Sequence, residues 1–265
     1  MIREAAKTLA RQVPAIDSLI RQRDDLLSKV ADLERRLEEL SRPITSDTDK
    51  FTLKAALARI AKRGIDIATV IDVGASNGMW SASVEQYWPG ARYHLIEAFD
   101  HWLPSLQQLA QRKPNYTFTL AAAGPHDGTI KFFNDRNAPL GGAVVSDFRD
   151  AWSVPMVSID AEVSRFNLRP PFLVKLDTHG FEPEIVAGAT ETLAHTNLFV
   201  NEFYNYQLHA AGKRFAEMVV LIESFGFRCI DMFDPLWRLK DDAFWQIDMA
   251  FIPQGRPEFL SNSYA

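Results

Sequence analysis

The 265-residue chain carries 29 lysines and arginines against 34 aspartates and glutamates, a formal net charge of −5, with 47% apolar and 24% charged residues. These proportions describe a folded globular protein of one sizeable domain plus an appendage, or two small domains. The acidic balance leaves no basic footprint for nucleic acid and no polybasic patch for a membrane surface. The single cysteine, Cys229, excludes an internal disulfide and a cysteine-based zinc site and fits a reducing compartment. No run of 18 apolar residues exists for a membrane span, and the opening MIREAAKTLA has no signal-type apolar core, so the expected location is cytoplasmic.

Residues 1–41 hold eight basic and eight acidic residues, and neither glycine nor an aromatic. Leu19, Leu26, Val30, Leu33, Leu37 and Leu40 fall on an a/d register, with Ile16 one heptad earlier and Arg23 as the charged a-position. That is a coiled-coil seam of about three and a half heptads. Lys29 at g and Glu34 at the following e attract across a parallel dimer, while Pro14 and Pro43 bound the helix. The expectation is a homo-oligomer held by this N-terminal helix; the plainer alternative is an amphipathic helix packed on its own domain.

Residues 42–50 read as a polar linker, and 51–265 as an α/β domain. Phe51 to Arg63 reads as a helix ending at Gly64. Strands are expected at 68–73, 92–97, 116–121, 172–177, 197–202, 227–232 and 245–252, with helices at about 78–87, 101–112, 183–194 and 212–225. Alternation of this kind argues for parallel βαβ units. The stretch between the last two strands is too short for a helical crossover, so they should form an antiparallel hairpin. Residues 124–160 exceed a minimal unit. They hold an extra short strand at 128–133, a polar loop from Asn134 to Val145 and an edge strand at 154–159.

The first strand ends in Asp72 and runs into Gly74-Ala75-Ser76-Asn77-Gly78. An apolar strand followed by a loop with two glycines, opening a helix, lets backbone approach a ligand closely. The second strand ends in Glu97, and an acid about 20 residues past such a loop is placed to hold ribose hydroxyls. The loop lacks the full G-x-G-x-x-G spacing, which argues against a dinucleotide. Asp-x-Gly-x-x-x-Gly points instead to S-adenosyl-L-methionine, with Asp72, Gly74, Ala75, Ser76, Asn77, Gly78 and Glu97 as cofactor-binding residues. Ala121 to Gly124 end the third strand where an adenine would lie.

These pieces, together with Leu95-Ile96-Glu97-Ala98, Val157-Ser158-Ile159-Asp160, Phe172 to Glu182 and Phe199-Val200-Asn201-Glu202, resemble the FkbM family of S-adenosylmethionine-dependent methyltransferases. Order and spacing agree over about residues 65–210, and Lys175-x-Asp177-x-x-Gly180-x-Glu182 is the most specific piece. The resemblance implies a Rossmann-like class I methyltransferase fold with a mostly parallel seven-stranded sheet and a C-terminal antiparallel hairpin. It also implies O-methylation, often of sugar or polyketide hydroxyls, so the expected partner is a small-molecule or glycan acceptor. His179 stands where many members carry glutamine.

Transfer of a methyl group to a hydroxyl needs positioning and one proton acceptor. Asp177, His179 and Glu202, at the ends of the fourth and fifth strands, are the expected catalytic residues, with His179 the candidate base because its ordinary pKa suits neutral pH. Asn201, Tyr204, Asn205 and Tyr206 could hold substrate hydroxyls. Asp177, Glu182 and Glu202 could hold a hard cation, but no close-spaced ligand motif appears, and no metal is expected. Rival readings are a metal-dependent sugar O-methyltransferase of another family, which chelators would inhibit, and an idle scaffold that recruits a glycan-assembly partner and binds no cofactor.

Overall fold

A computed structural model describes residues 48–134, 143–144, 150–208 and 212–264. The heptad segment 1–41, the expected oligomer contacts and most of the linker lie outside the described residues, as does most of the polar loop after Asn134.

The first helix, α1 (Leu53–Ala61), starts where the Thr52 side chain accepts the Ala55 N–H at 3.3 Å, and it buries Ala55, Ala56, Leu57 and Ile60. Next, β1 (Thr69–Val73) leads through α2 (Met79–Glu85) to β2 (Arg92–Glu97), and α3 (Leu103–Arg112) leads to β3 (Tyr116–Leu120). Then come β4 (Ala122–Ala123), β5 (Gly128–Phe133), β6 (Ala143–Val144) and β7 (Trp152–Val157). From there α4 (Ile159–Arg165) returns the chain to β8 (Phe172–Leu176), and α5 (Glu182–Ala187) and α6 (Thr190–Ala194) precede β9 (Thr196–Tyr204). Finally α7 (Phe215–Ser224) leads to β10 (Phe227–Trp237), which turns back as β11 (Phe244–Pro253). Among the described residues no helix is long and apolar enough to cross a membrane.

Seven strands form one sheet in the order β10-β11-β9-β8-β1-β2-β3. The pairs from β9 to β3 are parallel, and β11 is inserted antiparallel between β9 and β10. The expected mostly parallel sheet with a C-terminal antiparallel hairpin is therefore present. Every residue of β1 and of β8 is buried, as a parallel sheet covered on both faces requires. Ile71, Val73, Val174, Leu176, Phe199 and Phe203 join the apolar cluster on one face; Val70, Leu173, Leu198 and Val200 join that on the other. The chain builds outward from β1 to β3 and then returns to β8 on the other side of β1. A crevice opens at the carboxyl ends of the strands at such a reversal.

The excess residues 124–160 form a second sheet in the order β4-β7-β5-β6. It packs on the main core through Phe99, Phe132 and Trp152, whose ring centroids are 5.4–6.3 Å apart. Two expectations need correction here. The edge strand ends at Val157 rather than 159, because the Ser158 hydroxyl accepts the Ala161 N–H at 3.2 Å and starts α4, a helix the apolar pattern did not reveal. The single helix expected over 183–194 is two, α5 and α6. The second begins under Asp160, whose Oδ1 accepts the Thr192 N–H at 2.8 Å and whose Oδ2 accepts the Glu191 N–H at 3.1 Å. A cap supplied from 31 residues away in sequence leaves no local signature.

Candidate active site

A cavity of about 450 Å³ opens at the carboxyl edge of β2, β1, β8 and β9. Gly74, Ser76, Glu97, Phe99, Trp102, Ala121 to Ala123, Phe132 and Asn134 line one part, and Asp177 to His179, Phe181, Glu202, Tyr204, Leu236 and Gln246 the rest.

The loop after β1 is shaped by two glycines. Gly74 has φ of +72°, and a Cβ there would stand 2.0 Å from the Asp177 carbonyl oxygen, so only glycine lets this loop pass the end of β8. Gly78 has φ of +81°, and its Cβ would meet Leu109 at 2.6 Å and Leu95 at 3.1 Å. It packs the start of α2 onto α3 and β2 and does not line the cavity. Ser76 adopts a left-handed φ of 51°, which aims its N–H at Glu97 Oε2, 2.7 Å away. Glu97 Oε1 accepts the Phe99 N–H, also at 2.7 Å. The Glu97 carboxyl is 8% exposed; burial raises its pKa, and the two amides oppose that rise.

Asp72 lies beneath the cavity, fully buried. Its Oδ2 accepts the Ser81 hydroxyl at 2.7 Å and its Oδ1 faces Lys175 Nζ at 3.0 Å. Lys175 also donates to the Gly74 carbonyl at 3.0 Å and lies 3.4 Å from Asp177 Oδ2. Burial works against its charge, but Asp72 and Asp177 raise its pKa, so it stays an ammonium. The lysine of the Lys-x-Asp-x-x-Gly-x-Glu piece thus joins the first loop to the fourth parallel strand of the chain. Its glutamate builds the next turn. Glu182 Oε1 accepts the Thr178 N–H at 3.2 Å, the Thr178 hydroxyl at 3.0 Å and the Gly180 N–H at 3.1 Å.

That turn holds His179 at a left-handed φ of 56°, a conformation costing about 1–3 kcal/mol that persists where the surroundings over-determine it. Its Nδ1 lies 2.6 Å from the Tyr204 hydroxyl, 3.4 Å from Glu202 Oε2 and 4.0 Å from Asp177 Oδ1. Tyr204 donates to Glu202 Oε2, and Gln246 Nε2 donates to Glu202 Oε1. Burial works to lower the His179 pKa, yet Glu202 and Asp177 bring it up to about 9. The ring is therefore an imidazolium at neutral pH, with its Nδ1–H directed to Tyr204. Burial and then Asp177 raise Glu202; burial would raise Asp177 too, but Lys175 and His179 hold it below its ordinary value.

Of the residues expected at the cofactor, Gly74, Ser76 and Glu97 line the cavity, while Asp72, Ala75, Asn77 and Gly78 support the loop from outside the lining. Asp177, His179 and Glu202 lie close to one another and line the same cavity. The expected hydroxyl-binding group of Asn201, Tyr204, Asn205 and Tyr206 is dispersed. Asn201 is fully buried and donates to the Glu202 carbonyl at 2.6 Å, Asn205 donates to the Phe244 carbonyl at 3.3 Å, and Tyr206 lies under Arg238. Gln246 was not foreseen. It reaches Glu202 because β11 places it opposite Tyr204, a pairing no local motif announces.

The cradle suits a nucleoside cofactor carrying an amino acid. Glu97 could offer carboxylate oxygens to a diol, Phe99, Ala121 to Ala123 and Phe132 form an apolar wall that could take a base, and the Gly74 loop could bring backbone close.

No curated protein matches the chain. Solved structures of similar fold include the methyltransferase FkbM of Methylobacillus flagellatus KT, at 15% identity and a TM-score of 0.43, covering 69% of this chain. The chain spans 43% of the length of that protein. The fibrillarin pre-rRNA processing protein of Methanococcus jannaschii matches at 14% identity and a TM-score of 0.45, over 78% of this chain and 77% of that one. The 1,6-didemethyltoxoflavin-N1-methyltransferase of Burkholderia thailandensis matches at 15% identity and a TM-score of 0.39, over 87% and 86%. The sequence profile of the methyltransferase FkbM domain matches residues 72–229, more than half of the chain and nearly all of the cavity wall. The chain belongs to the FkbM methyltransferase family.

Proposed function

We propose that this enzyme methylates a hydroxyl of a sugar, glycan or glycosylated metabolite, with the acceptor seated against Asp177, His179 and Glu202. The observation that carries the reading is the hydrogen-bonded array of His179, Tyr204 and Glu202 beside Asp177, in the same cavity as Glu97. A neutral hydroxyl must shed a proton as it attacks, and this array holds groups that accept one.

When bound, S-adenosylmethionine supplies a methyl group on a sulfonium, so the chain need only position the partners and take up a proton. Glu97 would hold the ribose hydroxyls, and the Gly74–Ser76 backbone would hold the cofactor's amino-acid end. Glu97 ends β2 and Glu202 lies two residues before the end of β9, three places away in the sheet, about 14 Å at the strand spacing, so acceptor and ribose would occupy separate parts of the crevice. His179, already protonated, does not act as the base. The acceptor proton passes to a carboxylate, Glu202 or Asp177, while the His179 charge steadies the carboxylate that remains. Glu202, Gln246, Tyr204 and Asp177 present acceptors and donors suited to a polyhydroxyl ring. The lone Cys229 fits work in the reducing cytoplasm.

The test is methyl transfer from labelled S-adenosylmethionine to a panel of free, nucleotide-linked and glycosidic sugars, followed by single-turnover rates of Asp177→Asn, Glu202→Gln and His179→Ala. Loss of a positioned base lowers the rate by about 10²–10⁴-fold. One carboxylate variant should show that loss with unchanged cofactor affinity. Near-normal rates in both carboxylate variants would place the acceptor elsewhere.

A further inference from the structure

We propose that Asp177, His179 and Glu202 form a binding site for a divalent cation of the Mg²⁺ or Mn²⁺ class at the acceptor end of the cavity. The inference rests on reading that end as the acceptor side. The three ligand atoms lie within 4.8 Å of one another, with His179 Nδ1 3.4 Å from Glu202 Oε2 and 4.0 Å from Asp177 Oδ1. A cation with bonds of about 2.1 Å separates its ligands by about 3 Å at right angles and about 4.2 Å across. The two distances from His179, 3.4 and 4.0 Å, fall between those limits.

The partners of each ligand leave one atom of it for the cation. Lys175 takes Asp177 Oδ2, which leaves Oδ1; Gln246 takes Glu202 Oε1, which leaves Oε2. Outer contacts of this kind orient metal ligands. The Tyr204 hydroxyl bridges His179 Nδ1 and Glu202 Oε2; a cation would displace it from that place and release to solvent the proton that His179 Nδ1 otherwise carries. Two carboxylates and one imidazole, with no thiol, favour a hard to borderline ion over a soft one.

A second observation lies beside the triad. Asp248 stands directly opposite Glu202 in the β9–β11 register, and its side chain makes no hydrogen bond or ion pair among the described residues. The cation considered from the sequence at Asp177, Glu182 and Glu202 changes one ligand, since Glu182 is consumed by its turn and His179 takes its place. Three protein ligands leave open positions toward the cavity, where a cation would hold acceptor oxygens and lower the pKa of a coordinated hydroxyl.

The experiment is a Mn²⁺ titration of metal-stripped full-length protein, read by the electron paramagnetic resonance of free Mn²⁺, without cofactor or acceptor. One bound Mn²⁺ per chain is expected, with affinity lowered at least about tenfold in Asp177→Asn and in Glu202→Gln. Glu97→Ala should retain the Mn²⁺ affinity while losing cofactor. Circular dichroism checks that each variant folds; should Asp177→Asn not fold, wild type and Glu202→Gln decide. No bound Mn²⁺ at about 1 mM free metal, the range of weak extracellular cation sites, would overturn the proposal. So would binding that the variants retain, or a negative cluster that serves the cofactor's sulfonium alone. Calorimetry of S-adenosylhomocysteine in the presence of a chelator tests the cofactor site separately.

Discussion

Glu97→Gln tests the cofactor half of the site. The native carboxylate accepts the Ser76 and Phe99 N–H groups, each at 2.7 Å. Glutamine keeps one acceptor oxygen and turns an NH₂ toward the other N–H, so one charged hydrogen bond is lost in a buried place. Such a bond contributes about 1.5–3 kcal/mol. At about 2–4 °C per kcal/mol for a domain of this size, the unfolding midpoint should fall by about 3–12 °C. The same carboxylate is read as the ribose acceptor, and losing one charged bond there weakens cofactor by about 10–150-fold. The two effects separate by linkage. Ligand at one hundred times the wild-type Kd stabilises wild type by about 2.7 kcal/mol and the variant by only about 0.3–1.4 kcal/mol. Calorimetric titration with S-adenosylhomocysteine, and scanning calorimetry with and without it, measure both. Wild-type affinity in Glu97→Gln would show that the ribose is held elsewhere, whatever the midpoint does.

Further outcomes follow from the buried charges and the N-terminal segment. Lys175→Met leaves the fully buried Asp72 without its cation. Breaking a buried pair in this way costs about 3–5 kcal/mol, so a thermal midpoint equal to wild type would contradict the assigned ion pair. Burial, with Arg92 and Arg165 nearby, brings His94 down to about 4, and its ring bonds Glu162 at 2.9 Å and Thr117 at 3.0 Å. The unfolded chain then binds more protons than the native one between about pH 6.5 and 4, so His94 costs stability as the pH falls through that window, by up to about 3 kcal/mol. Urea midpoints at pH 7.5 and 4.5 should converge in His94→Gln relative to wild type, and an identical pH dependence would refute this. Deleting residues 2–41 should lower the mass seen by light scattering to that of a monomer while cofactor binding persists; an unchanged number of subunits would remove the coiled-coil reading.

Much of the architecture is written in local pattern. Mainly apolar runs such as Thr69–Val73 and Phe172–Leu176 mark strands covered on both faces, and the glycines at 74 and 78 mark the turn after the first of them. Acids at or near strand ends, Glu97, Asp177 and Glu202, mark the carboxyl edge where the cavity opens. These features depend on neighbours in sequence, and period and turn chemistry carry that information.

What only the tertiary structure decided is how those acids divide their work. Asp72 and Glu182 look as exposed to function as Glu97 and Asp177, yet one is enclosed by Lys175 and Ser81 and the other by the amides of its own turn. His179 matched a base by its ordinary pKa, and three-dimensional proximity to Glu202 and Asp177 made it a cation. Gln246 and Asp248 entered the site through the pairing of β11 with β9. Register between strands 44 residues apart is set by the whole sheet closing on its core, and the field at a buried group sums over all charges around it, so neither can be read along the chain.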